Sequence, residues 1–94
     1  MLQLGQVVVS KAGRDQGRFM MIVGFAEDNT LLLADGSLRK LETPKRKNIK
    51  HVAKTNTVFE EIASQLSNPP DIANAAIKTY LSRYDNQNKE SDIH

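Results

Sequence analysis

The sequence contains no cysteine and no tryptophan, and its only histidines are His51 and His94. Without cysteine there is no disulfide, no thiolate metal site and no cysteine nucleophile, and a reducing cytoplasm is the expected home. Two histidines cannot furnish a histidine-rich metal site, and no Ser/His/Asp set can be placed around them. No cofactor is expected. Aromatic residues make up 5% of the chain, which argues against a single-strand reader that stacks bases on rings. No apolar run approaches the ~20 residues of a membrane helix, so no membrane partner is expected. The opening stretch, MLQLGQVVVSK, lacks the basic segment and small-residue cleavage site of a signal peptide. The glycine-bearing stretch AGRDQGR lacks the Gly-Lys-Ser/Thr ending of a nucleotide-binding loop. The carboxylate pairs Glu27-Asp28 and Glu60-Glu61 have ordinary explanations as a turn and a helix start. Together these shortages point away from an enzyme.

What the sequence does have is an uneven distribution of charge. The whole chain of 94 residues carries a net charge of +2. Residues 1–54 hold ten Lys/Arg against five Asp/Glu, a net of +5, whereas residues 55–94 hold three against six, a net of −3. The densest stretch, Arg39 to Lys54, has seven basic residues and one acid. This divides the chain into a basic module (1–54), a helical appendage (55–84) and a polar, aperiodic tail (85–94) expected to be disordered.

The basic module reads as short strands. Gln6 to Lys11 contains three consecutive valines, suited to a buried strand. A two-glycine turn follows, then Arg18 to Phe25 as a second strand with a bend or bulge at Gly24. Glu27-Asp28-Asn29 is a turn and Thr30 to Ala34 a third strand. Asp35-Gly36 signals a hairpin, with Leu38 to Leu41 as the returning strand ended by Pro44. Asn48 to Val52 is expected as a fifth strand. Several short strands separated by turn signals suggest a small antiparallel barrel.

The acidic part reads as two helices. Thr57 and Glu60 fit a capping box, and Val58, Ile62 and Leu66 recur at four-residue spacing, with Phe59 and Ala63 beside them. Ser67 to Pro70 stops that helix. The second begins near Asp71 or slightly earlier with proline in its first turn, with Ile72, Ala73, Ala76, Ile77, Tyr80, Leu81 and Tyr84 as its apolar stripe. Both helices are expected to pack on the barrel or on each other.

The stretch Gln6 to Gly24, QVVVSKAGRDQGRFMMIVG, resembles the KOW motif, a strand, a basic glycine-bearing loop and a second strand. The matching positions are the valine run, Gly13, Arg14-Asp15, Gly17, Arg18 and the apolar run to Val23. Met20 stands where many KOW motifs carry a further glycine. Residues 1–54 as a whole are similar to short bacterial KOW-containing RNA-binding proteins, through AGRDQGR, Ala34-Asp35-Gly36, Leu38-Arg39-Lys40 and PKRKNIKHV from Pro44 to Val52. Those proteins are in turn similar to KOW-bearing large-subunit ribosomal proteins of archaea and eukaryotes. The resemblance implies a mainly β fold, a Src-homology-3-like barrel followed by two short helices. It also implies RNA, and ribosomal RNA in particular, as the partner, with ribosomal proteins as further partners of the helices.

The residues themselves supply a compatible chemistry. Gly13 and Gly17 allow a tight turn whose amides can approach a ligand, flanked by Lys11, Arg14 and Arg18 as phosphate donors. Asp15 is expected to hydrogen-bond the backbone of its own turn. Arg39 and Lys40, then Lys45, Arg46, Lys47, Lys50, His51 and Lys54, form a second set for phosphates, with His51 able to stack on a base. Few aromatics and many cations suit recognition of folded RNA by shape and backbone. The competing expectation is an adaptor module in the translation or transcription machinery, working through the outer face of the second helix.

Overall fold

Val7, Val8 and the run Met20 to Val23 are all buried, although successive strand residues point to opposite faces. A strand that is apolar at every position must therefore be covered on both sides. The computed structural model, which describes residues 1–87, shows how. Strands β1 (Gln6–Ser10), β2 (Phe19–Ala26), β3 (Thr30–Ala34), β4 (Lys45–Asn48) and β5 (Val52–Val58) form one antiparallel sheet in the order β4-β3-β2-β1-β5. Helices α1 (Ile62–Gln65) and α2 (Pro70–Gln87) follow.

One face of the sheet is covered by the helices. Val7, Met21, Val23 and Ala34 pack there with Phe59, Ile62, Ile77, Tyr80 and Tyr84. Phe59 stacks on Tyr80 at 5.1 Å and Phe19 meets Tyr84 at 5.2 Å between ring centroids. The other face is covered by the sheet itself, because Val8, Met20, Ile22, Leu31, Leu33 and Val52 cluster without any helical residue. The sheet must curl to do this. β4 and β5 are its opposite edges, separated by about 19 Å in a flat sheet of ~4.8 Å spacings. Yet only the 3-10 turn Ile49–His51 joins them, a segment that rises ~2 Å per residue. Among the described residues no ladder pairs β4 with β5.

Irregularities fall where the curvature requires them. The β2–β3 register shifts between Ile22 and Gly24, the bulge expected at Gly24. A second shift lies in the β1–β5 ladder between Gln6 and Val8. Side chains mend the ladder there: Thr55 Oγ1 donates to the Val7 carbonyl and Gln6 Nε2 to the Thr55 carbonyl, both at 2.8 Å. The Glu27-Asp28-Asn29 turn is also as expected, with Asp28 and Asn29 at φ +58° and +57°.

Four expectations are corrected. Leu38 to Leu41 is not a strand. Asp35 curls the chain instead, its Oδ1 accepting from the Ser37 and Arg39 amides at 2.8 and 2.9 Å, and a side chain that takes local amides competes with a ladder. The chain returns as a strand only at Lys45, after Pro44. Asn48 to Val52 is likewise not a strand: the Asn48 side chain accepts from the Lys50 amide and the 3-10 turn intervenes. The Thr57–Glu60 capping box does not form, because Thr57 lies in β5, and α1 is a single turn from Ile62 without a side-chain cap. In α2 the stripe holds at Ala73, Ile77, Tyr80 and Tyr84, but Ile72 is exposed.

β5 crosses the change of composition at residue 55, and β1 pairs with it as far as Gln6↔Val58. α2 continues through Asp85 to Gln87, so the first residues of the expected disordered tail are helical; residues 88–94 of that tail lie outside the described residues.

The β3–β4 loop is pressed against α2. Gly36 has φ +81°, and a Cβ there would collide with the Asn74 carbonyl oxygen and lie 3.0 Å from the Lys78 nitrogen. Gly36→Ala is expected to cost at least about 2 kcal/mol, from positive φ together with the clash. The urea midpoint measures it, and an unchanged midpoint would show that the loop does not rest on α2.

Candidate nucleic-acid interface

The β1–β2 turn is built by its own backbone. Ser10 and Gly17 N–H donate to the Arg18 and Ser10 carbonyls at 3.0 and 2.8 Å, and Arg18 N–H donates to the Asp15 carbonyl at 2.8 Å. Gly13 and Gly17 lie at φ +80° and +88°, and a Cβ at Gly17 would meet nothing within 4 Å. Backbone conformation, not close approach, is what calls for glycine at Gly17.

Asp15 does something other than the expected turn hydrogen bond. Its buried Oδ2 makes no hydrogen bond and lies 3.6 Å from the Nζ of both Lys45 and Lys47. β4 explains the arrangement. Lys45 and Lys47 pair with Leu33 and Leu31, both on the curled face, whereas Arg46 pairs with Leu32 on the other side. A basic run on a strand alternates between faces, so the three cations of Lys45-Arg46-Lys47 do not act together. The Lys47 side chain is only 9% exposed, and its Nζ donates to Ser10 Oγ at 2.8 Å and the Ala12 carbonyl at 2.7 Å. Lys47 is thus a brace beneath the turn. Lys47→Met should cost about 1–3 kcal/mol, since it strips partners from buried polar groups. Exposed Arg46→Met should stay within about 0.5 kcal/mol. Chemical denaturation of the two variants distinguishes the brace from the neighbouring surface charge.

The cations left facing outward fall into two groups. Arg14 and Arg18 from the β1–β2 turn meet Arg39 from the β3–β4 loop around a concavity of about 270 Å³, also lined by Asp15, Met20 and Leu38. Arg18 is 45% exposed and its guanidinium lies 3.4 Å from Asp35 Oδ2. The second group, Lys50 and Lys54, flanks an apolar groove of about 340 Å³ lined by Leu2, Ile49 and Val52. The Lys11 N–H donates to the His51 carbonyl at 2.8 Å, which sets exposed Lys11 and His51 side by side. Arg46 and Lys40 lie apart from the concavity lining, Lys40 near Glu42.

Asn74, buried on α2, holds the loop that carries Arg39. Its Oδ1 accepts from the Leu41 N–H at 2.8 Å and its Nδ2 donates to Glu42 Oε1 at 2.6 Å. The bond from Asn74 holds the Glu42 carboxyl below the ordinary value of 4.5, helped by a backbone hydrogen bond and by Lys40, with burial opposing. A carboxyl lowered on folding stabilises above its unfolded pKa, and that contribution is lost as pH falls through the folded one. The Asn74 side-chain amide resonances should therefore titrate with a midpoint below 4.5. A midpoint at or above it would contradict the clamp.

Sequence reasoning missed Asp35, Leu38, Ser10 and Asn74 as parts of this site. Asp35-Gly36 reads as a hairpin signal and Leu38 as a strand residue, and although both lie in stretches that carry the resemblance, neither is marked by it as part of a site. Asn74 left a trace, as a polar residue between the apolar positions Ala73 and Ile77 of the helical stripe. Among the described residues no helix is long and apolar enough to cross a membrane. No protein-family model matches the chain, and neither does any curated protein searched.

Proposed function

We propose that this chain is a non-catalytic cytoplasmic protein that binds structured RNA through the face formed by the β1–β2 turn and the β3–β4 loop. Its RNA is ribosomal, with the large subunit as the place of association, and its sheet is a Src-homology-3-like barrel of the KOW kind. One observation carries the reading: Arg14, Arg18 and Arg39, on two separate loops, line one concavity. Charge scattered for solubility has no reason to converge, whereas a polyanion rewards convergence. The curl of the sheet and the glycine-bearing basic turn support the barrel reading. Phosphate-dominated contact also suits a surface that has no exposed ring besides Phe25 and His51 in the first 54 residues.

The test is to isolate ribosomes from the source cells at low and high salt, probe for this chain, and crosslink it to RNA. Co-sedimentation that weakens with salt, with an RNA adduct, is expected. Absence of both would sink the reading, and co-sedimentation with protein crosslinks alone would favour an adaptor.

A further inference from the structure

We infer that the Arg14–Arg18–Arg39 concavity is a seat for a single phosphodiester of a folded RNA backbone, with Leu38 packing on the sugar or base next to it. The inference rests on the RNA-binding reading for the identity of the polymer, and on the residues alone for the phosphate.

Size is the first argument. At about 270 Å³ the concavity lies below the roughly 300–1,000 Å³ of small-molecule pockets, so it suits one phosphate group better than a whole nucleotide. Charge is the second. Arg14, Arg18 and Arg39 line it with Asp15, three cations against one carboxylate; with the groups that touch these, Lys45 and Lys47 on Asp15 and Asp35 on Arg18, the count is five cations against two carboxylates, a net of +3. Asp15 lines the concavity, but two ammonium groups 3.6 Å away offset its charge, so its repulsion of an incoming anion is reduced.

Preorganisation is the third argument. Asp35 receives two backbone amides on Oδ1 and faces Arg18 with Oδ2, which holds that guanidinium near the concavity before any ligand arrives. Three guanidiniums offer paired N–H donors matched to phosphate oxygens, where lysines would offer point charges. Leu38 is the fourth. It is 69% exposed beside Arg39 and lines the same concavity. An inorganic anion has no use for it, but a nucleotide flanking the bound phosphate does.

The experiment follows the arginine Nε–Hε signals of the ¹⁵N-labelled full chain during titration with inorganic phosphate at constant ionic strength. Arg14, Arg18 and Arg39 are expected to shift together along one saturable curve while Arg46 and Arg83 stay still. Arg39→Gln should weaken phosphate at least fivefold. Leu38→Ala should weaken a ribosomal RNA fragment severalfold and by a larger factor than it weakens inorganic phosphate. Equal shifts at Arg46 and Arg83, or no saturation, would overturn the seat. If the RNA fragment binds while the three signals stay still, the seat fails and the RNA reading stands. If phosphate saturates the three arginines but no RNA binds, the RNA reading fails and only an anion seat remains. Competition by polyglutamate as strong as that by RNA would overturn the assignment to RNA in favour of an acidic protein.

Discussion

Tyr84→Ala is expected to lower stability by about 3–5 kcal/mol, the range for truncating a large buried aromatic side chain. In a domain of this size that corresponds to a fall in Tm of roughly 12–40 °C. Tyr84 is fully buried near the end of α2 and touches Phe19 at the start of β2. Removing it opens a cavity between helix and sheet, beside Ile62 and Ile77 in the same cluster. Exposed Ile72 on the same helix provides the control, and Ile72→Ala should stay within about 0.5 kcal/mol. Calorimetry of the two variants decides whether α2 belongs to the fold. A Tyr84→Ala loss below about 1 kcal/mol would make the helix a detachable appendage.

The second large effect concerns binding. Replacing Arg14, Arg18 and Arg39 together by glutamine should weaken structured RNA at least about a hundredfold near physiological salt, since hydrogen bonds to charged groups contribute about 1.5–3 kcal/mol each. Six outward cations, Lys11, Arg14, Arg18, Arg39, Lys50 and Lys54, are all exposed. If each meets a phosphate on duplex RNA, log K should fall against log salt with a slope near −5, and the triple variant should flatten it by about 2.7. These substitutions lie on exposed side chains, so the melting temperature should change far less than it does for Tyr84→Ala. Equal salt slopes for the parent and the variant would place the phosphate contacts elsewhere.

The strands that were legible in the sequence are those whose signal is their own. The valine run of β1, the apolar run of β2 with its bend at Gly24, and β3 from Thr30 to Ala34 all lie within a residue of where pattern and turn chemistry put them. The failures have a common cause, in which a side chain or a distant partner outweighs the local signal. Asp35 and Asn48 take backbone amides and turn two expected strands into a loop and a 3-10 turn. Thr57 is held inside β5, where Val58 beyond it pairs with Gln6 of β1 and its own N–H donates to Thr55 Oγ1, and the strand prevails over a good cap. Ile72 fits the apolar composition of α2 but sits one position before Ala73, on the side away from the sheet.

The site was legible as a set of residue types and not as an arrangement. The two-glycine turn and the basic run were both visible, but of the run from Arg39 to Lys54 only Arg39 lines the concavity. What could not be read was that alternation on β4 would turn Lys45 and Lys47 inward to Asp15 and send Arg46 the other way. Nor could the sequence show that Asn74, in the acidic half, holds the loop that presents Arg39. The change of charge at residue 55 is therefore not a structural boundary: β5 runs across it, and Asn74 from the C-terminal part positions the loop that carries Arg39.

The most direct test of the central claim is ultraviolet crosslinking of the whole chain to ribosomal RNA, followed by identification of the peptides that carry nucleotide adducts. Adducts are expected on the β1–β2 turn between Lys11 and Arg18 and on the β3–β4 loop around Leu38 and Arg39. Adducts confined to the outer face of α2, or none at all, would contradict the account.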